Sequence, residues 1–286
     1  AKVMLNLTFT NKTDMLISLV VLITTAMFFS WHLKPRWQKM QARIQQVCTC
    51  GYLPDPPTDS DDRKMRAVSR FVVWLQIGKI KWSGLDNLSC ASPKLIVPTH
   101  GHYLDPFVLA EQMPQGMRVM SARGLFKFGG GLGGLVFSRW GAFCTDLDPG
   151  KGLPALRTAV KVLASGQSLV IFPEGWAHMD GSVGPFKSGI ASIANMAAFE
   201  IKKPINIVPV YMRYGKYPGK WIINLPTAIQ CLILLFGFIN FRRGVHVVFG
   251  PPLLTSDLSK NSRLATEQIR NAVLALNPLP MNQATD

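Results

Sequence analysis

Short apolar runs alternate with amphipathic stretches from residue 79 onward. Most of these runs end at Gly, Pro or polar residues, which is typical of buried strands separated by turns. The predicted strands are Lys79–Ser83, Leu95–Val97, Met117–Ser121, Gly141–Asp146, Ser168–Phe172, Ile205–Tyr211 and Val245–Phe249. Helical periodicity marks Leu153–Ser165, Ile190–Glu200 and a final helix that runs to Leu276 with Ser262 as its cap. Because strand, helix and strand recur, we predict an α/β fold with a mostly parallel central sheet flanked by helices.

A nearly unbroken apolar run, Met15–Trp31, precedes this region. It is slightly shorter than the roughly 20 residues that span a bilayer, so we expect it to cross with some thinning or to sit in one leaflet. A buried core helix is the alternative. The basic residues that follow it are Lys34, Arg36, Lys39 and Arg43. We therefore predict that residues 1–50 form a membrane-anchoring helical segment. By the positive-inside rule, the basic residues after the apolar run predict that the following domain faces the cytoplasm.

Residues 51–78 are predicted to hold a linker and a basic amphipathic helix. Positions 51–62 combine prolines with acidic residues, and Arg63–Gln76 then resumes helical periodicity with its basic residues near the start. We expect this helix to lie on a membrane surface, with ordinary solvated charge as the alternative. Residues 79–286 form the remaining domain. Within it, Trp221–Phe241 is interpreted either as a second membrane-dipping segment or as a core helix.

Composition narrows the class of protein. With 286 residues, of which 48% are hydrophobic, the chain can bury a sizeable core. Its formal net charge of +15 implies an anionic partner: nucleic acid, anionic lipid headgroups or an acidic or phosphorylated substrate. We find no zinc-finger or RNA-binding motif, so we expect no nucleic-acid partner. The five cysteines lack a CxxC pair, and Cys48-Thr49-Cys50 is short for a zinc clip, so a reduced protein without a metal site is predicted.

The glycine-rich segment Gly129–Gly134 formally contains GxGxxG. A dinucleotide site needs a strand directly before this motif, whereas here Arg123–Lys127 intervenes. We therefore interpret the glycines as a flexible or closely packed loop.

A histidine and a carboxylate stand five residues apart just after the predicted strand Leu95–Val97. Strand ends are where α/β proteins place their chemistry. Asp105-Pro106 also has the form of a helix start, with Asp as the cap and Pro at the first helical position. A turn would bring the carboxylate to one imidazole nitrogen of His100 while the other faces a cleft. His100 and Asp105 are therefore candidates for a general base and its orienter, and the capping interpretation stays open.

Several motifs occur in a recognisable order. They are His100-x4-Asp105, Phe172-Pro173-Glu174-Gly175, Asp180-Gly181, Pro185-Phe186-Lys187-Ser188-Gly189 and Val208-Pro209-Val210. From about Lys79 to Leu254 the chain resembles the glycerolipid acyltransferase family, the lysophosphatidate acyltransferase-like enzymes.

The resemblance implies a membrane-bound O-acyltransferase of phospholipid or glycerolipid biosynthesis. It would move a fatty acyl group from acyl-CoA or acyl-carrier protein to a hydroxyl of a lysophospholipid or related lipid acceptor. His100 would be the base and Asp105 the carboxylate that fixes its tautomer, as in the Ser-His-Asp triad but with the substrate oxygen as nucleophile. Membrane lipids and the acyl donor are the implied partners. The donor is a co-substrate, and no cofactor is implied.

The resemblance also implies substrate-binding residues, and the chain departs from the family at some of them. The implied residues are Phe172, Pro173, Glu174, Gly175, Lys187 and Arg139. Leu147 stands where the family has one arginine, and Trp176-Ala177-His178 replaces the threonine-arginine-serine after FPEG. Both arginines that grip the acceptor phosphate are thus replaced, with Arg139 or Arg123 as possible substitutes. Because Arg binds phosphate through two parallel hydrogen bonds, we expect an acceptor other than a small phosphomonoester.

Two other functions remain as alternatives. Thr99-His100-Gly101-His102 is similar to the metal motif of metallo-β-lactamases, so a metal-dependent hydrolase using His100 and His102 is one of them. That motif needs Asp at position 104 and His at 105, where this chain has Leu104 and Asp105. A lipid-binding homologue without activity is the other alternative.

Overall fold

A computed structural model describes residues 34–277 except 92, 114, 115, 149, 218, 220 and 222–242, and within that last range it describes Leu225 and Ile229; Thr24 and Met27 are also described. The predicted anchor Met15–Trp31 and the segment Trp221–Phe241 therefore fall almost wholly outside the described residues. Over the described part of the chain, no helix is both long enough and apolar enough to cross a bilayer. The chain divides into two compact units, residues 1–46 and 47–286.

The helices are bounded as follows: α1 Lys34–Val47, α2 Asp59–Gln76, α3 Asp105–Ala110, α4 Arg123–Lys127, α5 Leu132–Arg139, α6 Leu153–Ala164, α7 Gly189–Ile201 and α8 Ser262–Leu274. The strands are β1 Ile80–Ser83, β2 Lys94–Pro98, β3 Arg118–Ala122, β4 Ala142–Thr145, β5 Leu169–Val170, β6 Asn206–Tyr214, β7 Val245–Phe249 and β8 Leu253–Leu254.

Within the described residues, the strands form one sheet in the order β1-β7-β6-β2-β5-β3-β4, and β8 pairs with β6. The pairs β6–β7 and β6–β8 are antiparallel, and all others are parallel. The prediction of a mostly parallel sheet flanked by helices is confirmed. Parallel neighbours end at the same edge of a sheet, so the carboxyl ends of β6, β2, β5, β3 and β4 lie together.

Helices cover both faces of the sheet, because β2 and β6 alternate apolar side chains between two cores. Leu95 and Val97 of β2 face the core that α6, α7 and α8 complete. Ile96 faces the opposite core, to which α2 and α3 contribute. The sheet is therefore the middle layer of three.

Four helix starts differ from the predicted ones, and one of them is α7, which begins at Gly189 instead of Ile190. Helix α2 begins at Asp59 instead of Arg63, because Thr58 and Asp61 form a capping box. Helix α8 begins at Ser262, but Asn261 is its cap and accepts hydrogen bonds from the amides of residues 263 and 264. Helix α3 begins at Asp105, whose side chain makes no capping hydrogen bond.

The stretch between β3 and β4 is helical, where the sequence suggested a loop. Gly129, Gly130 and Gly131 have positive φ angles of 60°, 68° and 99°, which separate α4 from α5. Gly133 and Gly134 then pack so closely that an added Cβ would lie 2.4 Å from the Leu125 carbonyl oxygen or 3.1 Å from that of Phe126. The glycines thus permit a tight helical pair beneath the sheet edge.

Candidate active site

His100 and Asp105 meet through a tight turn between β2 and α3. The Asp105 amide donates to the His102 carbonyl oxygen at 3.1 Å, which carries the Asp105 side chain back toward β2. Asp105 Oδ2 then lies 2.8 Å from His100 Nδ1 and accepts a second hydrogen bond from the His102 amide at 3.0 Å. The carboxylate of Asp105 therefore contacts the imidazole and leaves the helix start uncapped.

The surroundings of Asp105 are closed to solvent, and its side chain is 0% exposed. The Tyr214 hydroxyl donates to Asp105 Oδ1. The ring of His102 lies between Tyr103 and Tyr214, with centroid distances of 4.4 and 4.8 Å. Burial lowers the pKa of His102 to about 4, against the opposing pull of Asp105, so His102 is neutral near pH 7.

Glu174 holds the main chain of His100. Its Oε1 accepts the His100 amide at 2.7 Å, and its Oε2 accepts the Gly184 amide at 2.7 Å. Oε2 also lies 3.3 Å from His178 Nε2, while the His178 amide donates to the His100 carbonyl oxygen at 2.7 Å. Burial raises the pKa of Glu174, and the two amides oppose that rise. We call the segment 174–184 the clasp, because it binds both the amide and the carbonyl of His100.

A cavity of about 660 Å³ opens beside the His100 ring at the carboxyl ends of the parallel strands. Nδ1 is engaged by Asp105, so Nε2 is the nitrogen that can face this cavity. The ring of Phe172, after β5, packs against His100 with a centroid distance of 4.3 Å. Pro173 and Gly175 line the cavity as well, whereas Glu174 turns away from it into the clasp.

A second cavity of about 480 Å³ adjoins the first. Residues common to both linings include Tyr103, Pro106, Leu125, Leu147 and Trp176. The residues that line only the smaller cavity are mostly apolar and include Met65, Phe107, Met113, Met117, Phe137 and Trp140. The two cavities together form a mostly apolar space with His100 on one wall.

Positive charge is sparse in the larger cavity. Among the described residues that line it, Lys187 is the only lysine or arginine. Asp146 is paired with Arg123 at 3.1 Å and Asp148 with Lys151 at 2.9 Å. An anionic ligand beside His100 would therefore meet Lys187 as its nearest lining cation on this side.

Lys187 passes over Gly175, whose backbone has φ +79°. A Cβ on Gly175 would lie 2.7 Å from Lys187 Nζ, so only glycine leaves this path open. The Lys187 amide also donates to the Pro173 carbonyl oxygen at 2.9 Å. Glycine at position 175 thus allows both the turn and the approach of the lysine.

The chain is similar in sequence to known acyltransferases. A family model described as Acyltransferase matches residues 79–213. The chain is 29% identical over 222 residues to 1-acyl-sn-glycerol-3-phosphate acyltransferase BAT2, chloroplastic, from Brassica napus, which covers 74% of this chain and 57% of that protein. It is also 29% identical over 134 residues to LPAT1, the protein of the same description from Arabidopsis thaliana, covering 46% of this chain and 35% of that protein. These matches support the resemblance of the chain to glycerolipid acyltransferases over residues 79–213.

A solved structure agrees with the family in fold. The crystal structure of the 1-acyl-sn-glycerophosphate (LPA) acyltransferase PlsC from Thermotoga maritima superposes with a TM-score of 0.50 and 16% identity, over 75% of this chain and 78% of that one. This chain spans little more than half the length of the Brassica relative and about a third of the Arabidopsis one.

The larger cavity is lined by the residues that stand at or beside the two positions where the resemblance implies arginine. Leu147, Trp176 and Ala177 all contribute to its lining. Apolar side chains therefore occupy this part of the cavity wall, at the positions where the resemblance implies arginine.

Glu174 and Arg139 are the two predicted substrate-binding residues that the structure does not bring to the lining of either cavity. Helix α5 buries its small residues Gly133, Gly134 and Ser138. Leu132, Val136 and Arg139 share its exposed face. Arg139 does not line either cavity, so its predicted contact with substrate has no geometric support.

Sequence reasoning missed Tyr214 and the Gly184 amide. Strand β6 continues three residues beyond its predicted end at Tyr211, and Tyr214 follows Val210 and Met212 on the same strand face. A polar aromatic residue at the carboxyl end of a strand next to β2 was the available signal. The Gly184 contact lies in a loop and has no comparable sequence pattern.

Proposed function

We propose that this protein is a membrane-associated O-acyltransferase that moves a fatty acyl group from acyl-CoA or acyl-carrier protein to a hydroxyl of a lysophospholipid or related lipid acceptor. The observation that carries the proposal is the 2.8 Å contact between His100 Nδ1 and buried Asp105, at the wall of a cavity that continues into an apolar one. Its place in phospholipid or glycerolipid biosynthesis follows from the relatives' names.

In this mechanism Asp105 keeps the proton of His100 on Nδ1, so that Nε2 is the basic nitrogen. Nε2 takes the proton of the acceptor hydroxyl as its oxygen attacks the thioester carbonyl carbon. The tetrahedral intermediate then collapses, the carbon–sulfur bond breaks, and the imidazolium returns its proton to the departing thiolate. The products are an ester and a free thiol, and no covalent acyl-enzyme is formed.

The smaller cavity suits the acyl chain of the donor. Its lining is mostly apolar and includes three Met and five aromatic side chains, which stabilise an alkyl chain by removing it from water. It meets the larger cavity near Tyr103 and Trp176, so the thioester of a chain bound there can lie beside His100. This arrangement supports the choice of a long-chain acyl donor.

The proposed acceptor site offers little positive charge to a phosphate group. A doubly charged phosphate beside Leu147, Trp176 and Ala177 would lose water without a bidentate partner, leaving Lys187 as a single point charge. We therefore propose a lysophospholipid with a substituted headgroup, or a neutral lipid alcohol, as the preferred acceptor.

Helix α2 is the proposed membrane-facing element of residues 47–286. Val68, Phe71 and Trp74 follow one another at three-residue spacing and are 41, 59 and 58% exposed. Arg63 and Lys64 are exposed in the second turn of the same helix, after an acidic first turn, and supply positive charge for attraction to anionic lipid. The opposite side of α2 contributes Met65 and Ser69 to the smaller cavity, so docking would set that cavity next to the bilayer. The cytoplasmic orientation stays a prediction from the basic residues after Met15–Trp31.

The metal-dependent alternative is not favoured by the position of His102. Its ring is 0% exposed between two tyrosines and does not line either cavity. A zinc site at His100 would require that ring to leave its stack.

The test is release of free thiol from acyl-CoA by the purified full chain when a lysophospholipid is added. His100→Ala should abolish transfer, and Asp105→Asn should lower kcat by about 10³- to 10⁴-fold because the imidazole loses its orienter. His246→Ala on β7 and Asp86→Asn on the surface are the matched controls and should keep the wild-type rate. A chelator should have no effect.

Three results would count against the proposal: no acceptor-dependent thiol from the wild type, full activity in His100→Ala, or activity lost to a chelator and restored by zinc. The last would favour the hydrolase. Thermal unfolding of each variant shows whether a loss of rate reflects a loss of fold.

A further inference from the structure

We infer that Tyr214 is a positioning residue of this site: its buried hydroxyl fixes the Asp105 carboxylate and shares its negative charge, and thereby sets the basicity of His100. The inference rests on the proposed acyl transfer for its kinetic consequence. The contact itself stands independently of that function.

The sheet places Tyr214 where it can reach Asp105. Strand β6 runs parallel to β2 with Pro98 opposite Val210, so its last four residues extend alongside the turn that holds His100. Tyr214 is the final residue of β6 and pairs with Val245 of β7. It is 4% exposed and does not line either cavity. It therefore acts on the site through Asp105 and does not touch substrate.

The hydroxyl of Tyr214 can only donate to Asp105. Burial, strengthened by the neighbouring Asp105 charge, raises the pKa of Tyr214 well above its usual value, so the phenol stays protonated. Oδ1 of Asp105 receives this hydrogen bond, while Oδ2 receives the His102 amide and faces His100 Nδ1. With both oxygens engaged, the carboxylate cannot rotate away from the imidazole.

The same hydrogen bond limits how strongly Asp105 stabilises a protonated His100. A donor on Oδ1 draws negative charge away from Oδ2, which weakens the attraction between the carboxylate and an imidazolium. Removing the donor should therefore make His100 hold its proton to higher pH. It should also loosen the carboxylate, because a buried oxygen would be left without its hydrogen bond.

Other titratable groups surround the pair and must be kept constant in a test. They come from the turn after β2, from the clasp, from the loop after β6 and from the cavity wall: His102, Tyr103, Glu174, His178, Tyr217 and Lys187. Replacing Tyr214 with Phe removes one oxygen atom and leaves each of these side chains in place. Any shift in the behaviour of His100 then reports on that hydroxyl.

Strand β6 supplies a matched control. Tyr211 is also buried, at 6% exposure, but lies on the other face of the sheet in the core with α6, α7 and α8. Tyr211→Phe makes the same chemical change on the same strand without touching Asp105. The Asp105→Asn background is the second control, since Tyr214 should matter only through the carboxylate.

The experiment measures thiol release by the full chain between pH 5 and 9 for wild type, Tyr214→Phe, Tyr211→Phe, Asp105→Asn and the Asp105→Asn/Tyr214→Phe double variant. We expect Tyr214→Phe to lower kcat about tenfold, with KM for donor and acceptor within about twofold. The acid side of its rate profile should move up by about half a pH unit. Tyr211→Phe should match the wild type, and Tyr214→Phe should have little further effect on Asp105→Asn.

An activity-independent measurement accompanies the kinetics. Histidine-labelled protein is titrated by NMR, and His100 is assigned through the His100→Gln variant, which is practical because the chain has five histidines. The His100 transition should lie about half a pH unit higher in Tyr214→Phe than in wild type.

An unchanged kcat and an unchanged His100 transition in Tyr214→Phe would overturn the inference. So would an equal loss in Tyr211→Phe, which would indicate a general effect on the sheet, or a rise in KM alone, which would indicate contact with substrate. If no variant, wild type included, releases thiol, the proposed function fails, and the NMR titration still decides on Tyr214.

Discussion

At the scale of single residues, buried polar side chains position the site by binding main-chain amides. Thr99 Oγ1 accepts the Met212 amide at 3.0 Å, and His102 Nδ1 accepts the Leu104 amide at 3.1 Å. Asp105 and Glu174 bind amides in the same way. The contacts of Thr99 and Glu174 join the end of β2 to neighbouring segments, and those of His102 and Asp105 hold the turn that follows it, so the site and the local fold depend on the same hydrogen bonds.

His102 should make the stability of the protein depend on pH. Its folded pKa of about 4 lies below the usual value of 6.5, so between these pH values the unfolded chain binds a proton that the folded chain does not. Stability from this residue is therefore full above pH 6.5 and is lost as the pH falls toward 4, by at most about 3 kcal/mol. His102→Gln should lower the free energy of unfolding at pH 7 but reduce its dependence on pH in this window. Urea unfolding at several pH values measures both; parallel curves for the two proteins would contradict the prediction.

Gly175 offers a second test at this scale. Gly175→Ala should lower the free energy of unfolding by about 1–2 kcal/mol, because alanine is strained at positive φ. It should also displace Lys187 and raise KM for the acceptor, because the new Cβ would lie 2.7 Å from Nζ.

Gly166→Ala is the matched control for that change. Gly166 has φ +82° and nothing within 4 Å of an added Cβ. It should lose similar stability and keep the wild-type KM. If both variants keep the wild-type KM, Lys187 does not contact the acceptor.

At the scale of helices and strands, the apolar pattern predicted β1 to β7 but not the short strand β8, and it did not fix the ends of all the predicted strands. Strand β7 matches its predicted bounds because its run of apolar residues ends sharply at Gly250 and Pro251. Strand β6 extends to Tyr214 because its pairing with β7 continues beyond the last predicted residue. Helix α2 starts early through Thr58 and Asp61, a capping signal that the sequence already contained.

For the site as well, local sequence patterns predicted some contacts and missed others. His100 and Asp105 could be paired from the sequence because their spacing and the strand before them limit where a turn can lead. Arg139 was misplaced because a short glycine-rich helix sets which face is buried. Tyr214 was missed because its partner is 109 residues away, and a contact of that kind depends on strand order. Strand order is a property of the folded sheet and leaves no local pattern.

The basic residues of helix α2 differ in their contacts: some bind the protein itself and others are exposed. Arg66 donates to the carbonyl oxygens of Ala110, Glu111 and Met113 at 3.0, 2.7 and 2.7 Å, so it caps the end of α3. Arg66 therefore stabilises the protein itself, although it is one of the basic residues near the predicted start of this helix. Arg63 and Lys64 remain exposed.

This difference gives a prediction for membrane binding. In a chain that begins at Val47, Phe71→Ser/Trp74→Ser should weaken binding to acidic vesicles, because two exposed aromatic side chains no longer enter the interface. Lys64→Glu should weaken it further, by about 1 kcal/mol for each charge removed, and more at low salt. Vesicle co-sedimentation measures both effects, and circular dichroism confirms the fold.

Phe199→Ser is the control, since Phe199 is 87% exposed on α7, across the sheet from α2. It should leave vesicle binding unchanged. Equal losses in the two sets of variants would mean that the membrane surface is not on α2.

At the scale of the whole molecule, the chain is strongly basic while its reaction cavity is not. The net charge is +15, yet Lys187 is the only lysine or arginine among the described residues lining the larger cavity. Under the proposed function, attraction to anionic surfaces and recognition of the acceptor headgroup would be carried by different residues. This separation fits a protein that meets its substrates in a bilayer.

The acceptor preference tests this view. With one acyl thioester and equal concentrations of lysophosphatidate, other lysophospholipids and diacylglycerol, lysophosphatidate should not dominate the products. Ala177→Arg restores a guanidinium on the cavity wall and should shift selectivity toward the phosphomonoester by about 1–2 kcal/mol, or roughly 5- to 30-fold. Mass spectrometry of the products gives the ratio. Clear dominance of lysophosphatidate in the wild type would instead assign its phosphate to Lys187.

The clasp has a practical consequence for the design of chimeras between this protein and its relatives. The amide of His100 ends on Glu174, and its carbonyl oxygen accepts the amide of His178, so residues 99–105 and 172–184 form one interlocked part. A chimera that takes only one of these segments from a relative would lack the matching hydrogen-bond partner on the other segment. Specificity should therefore be transplanted as a pair of segments, with the wall positions 147 and 187 varied afterwards on that fixed base.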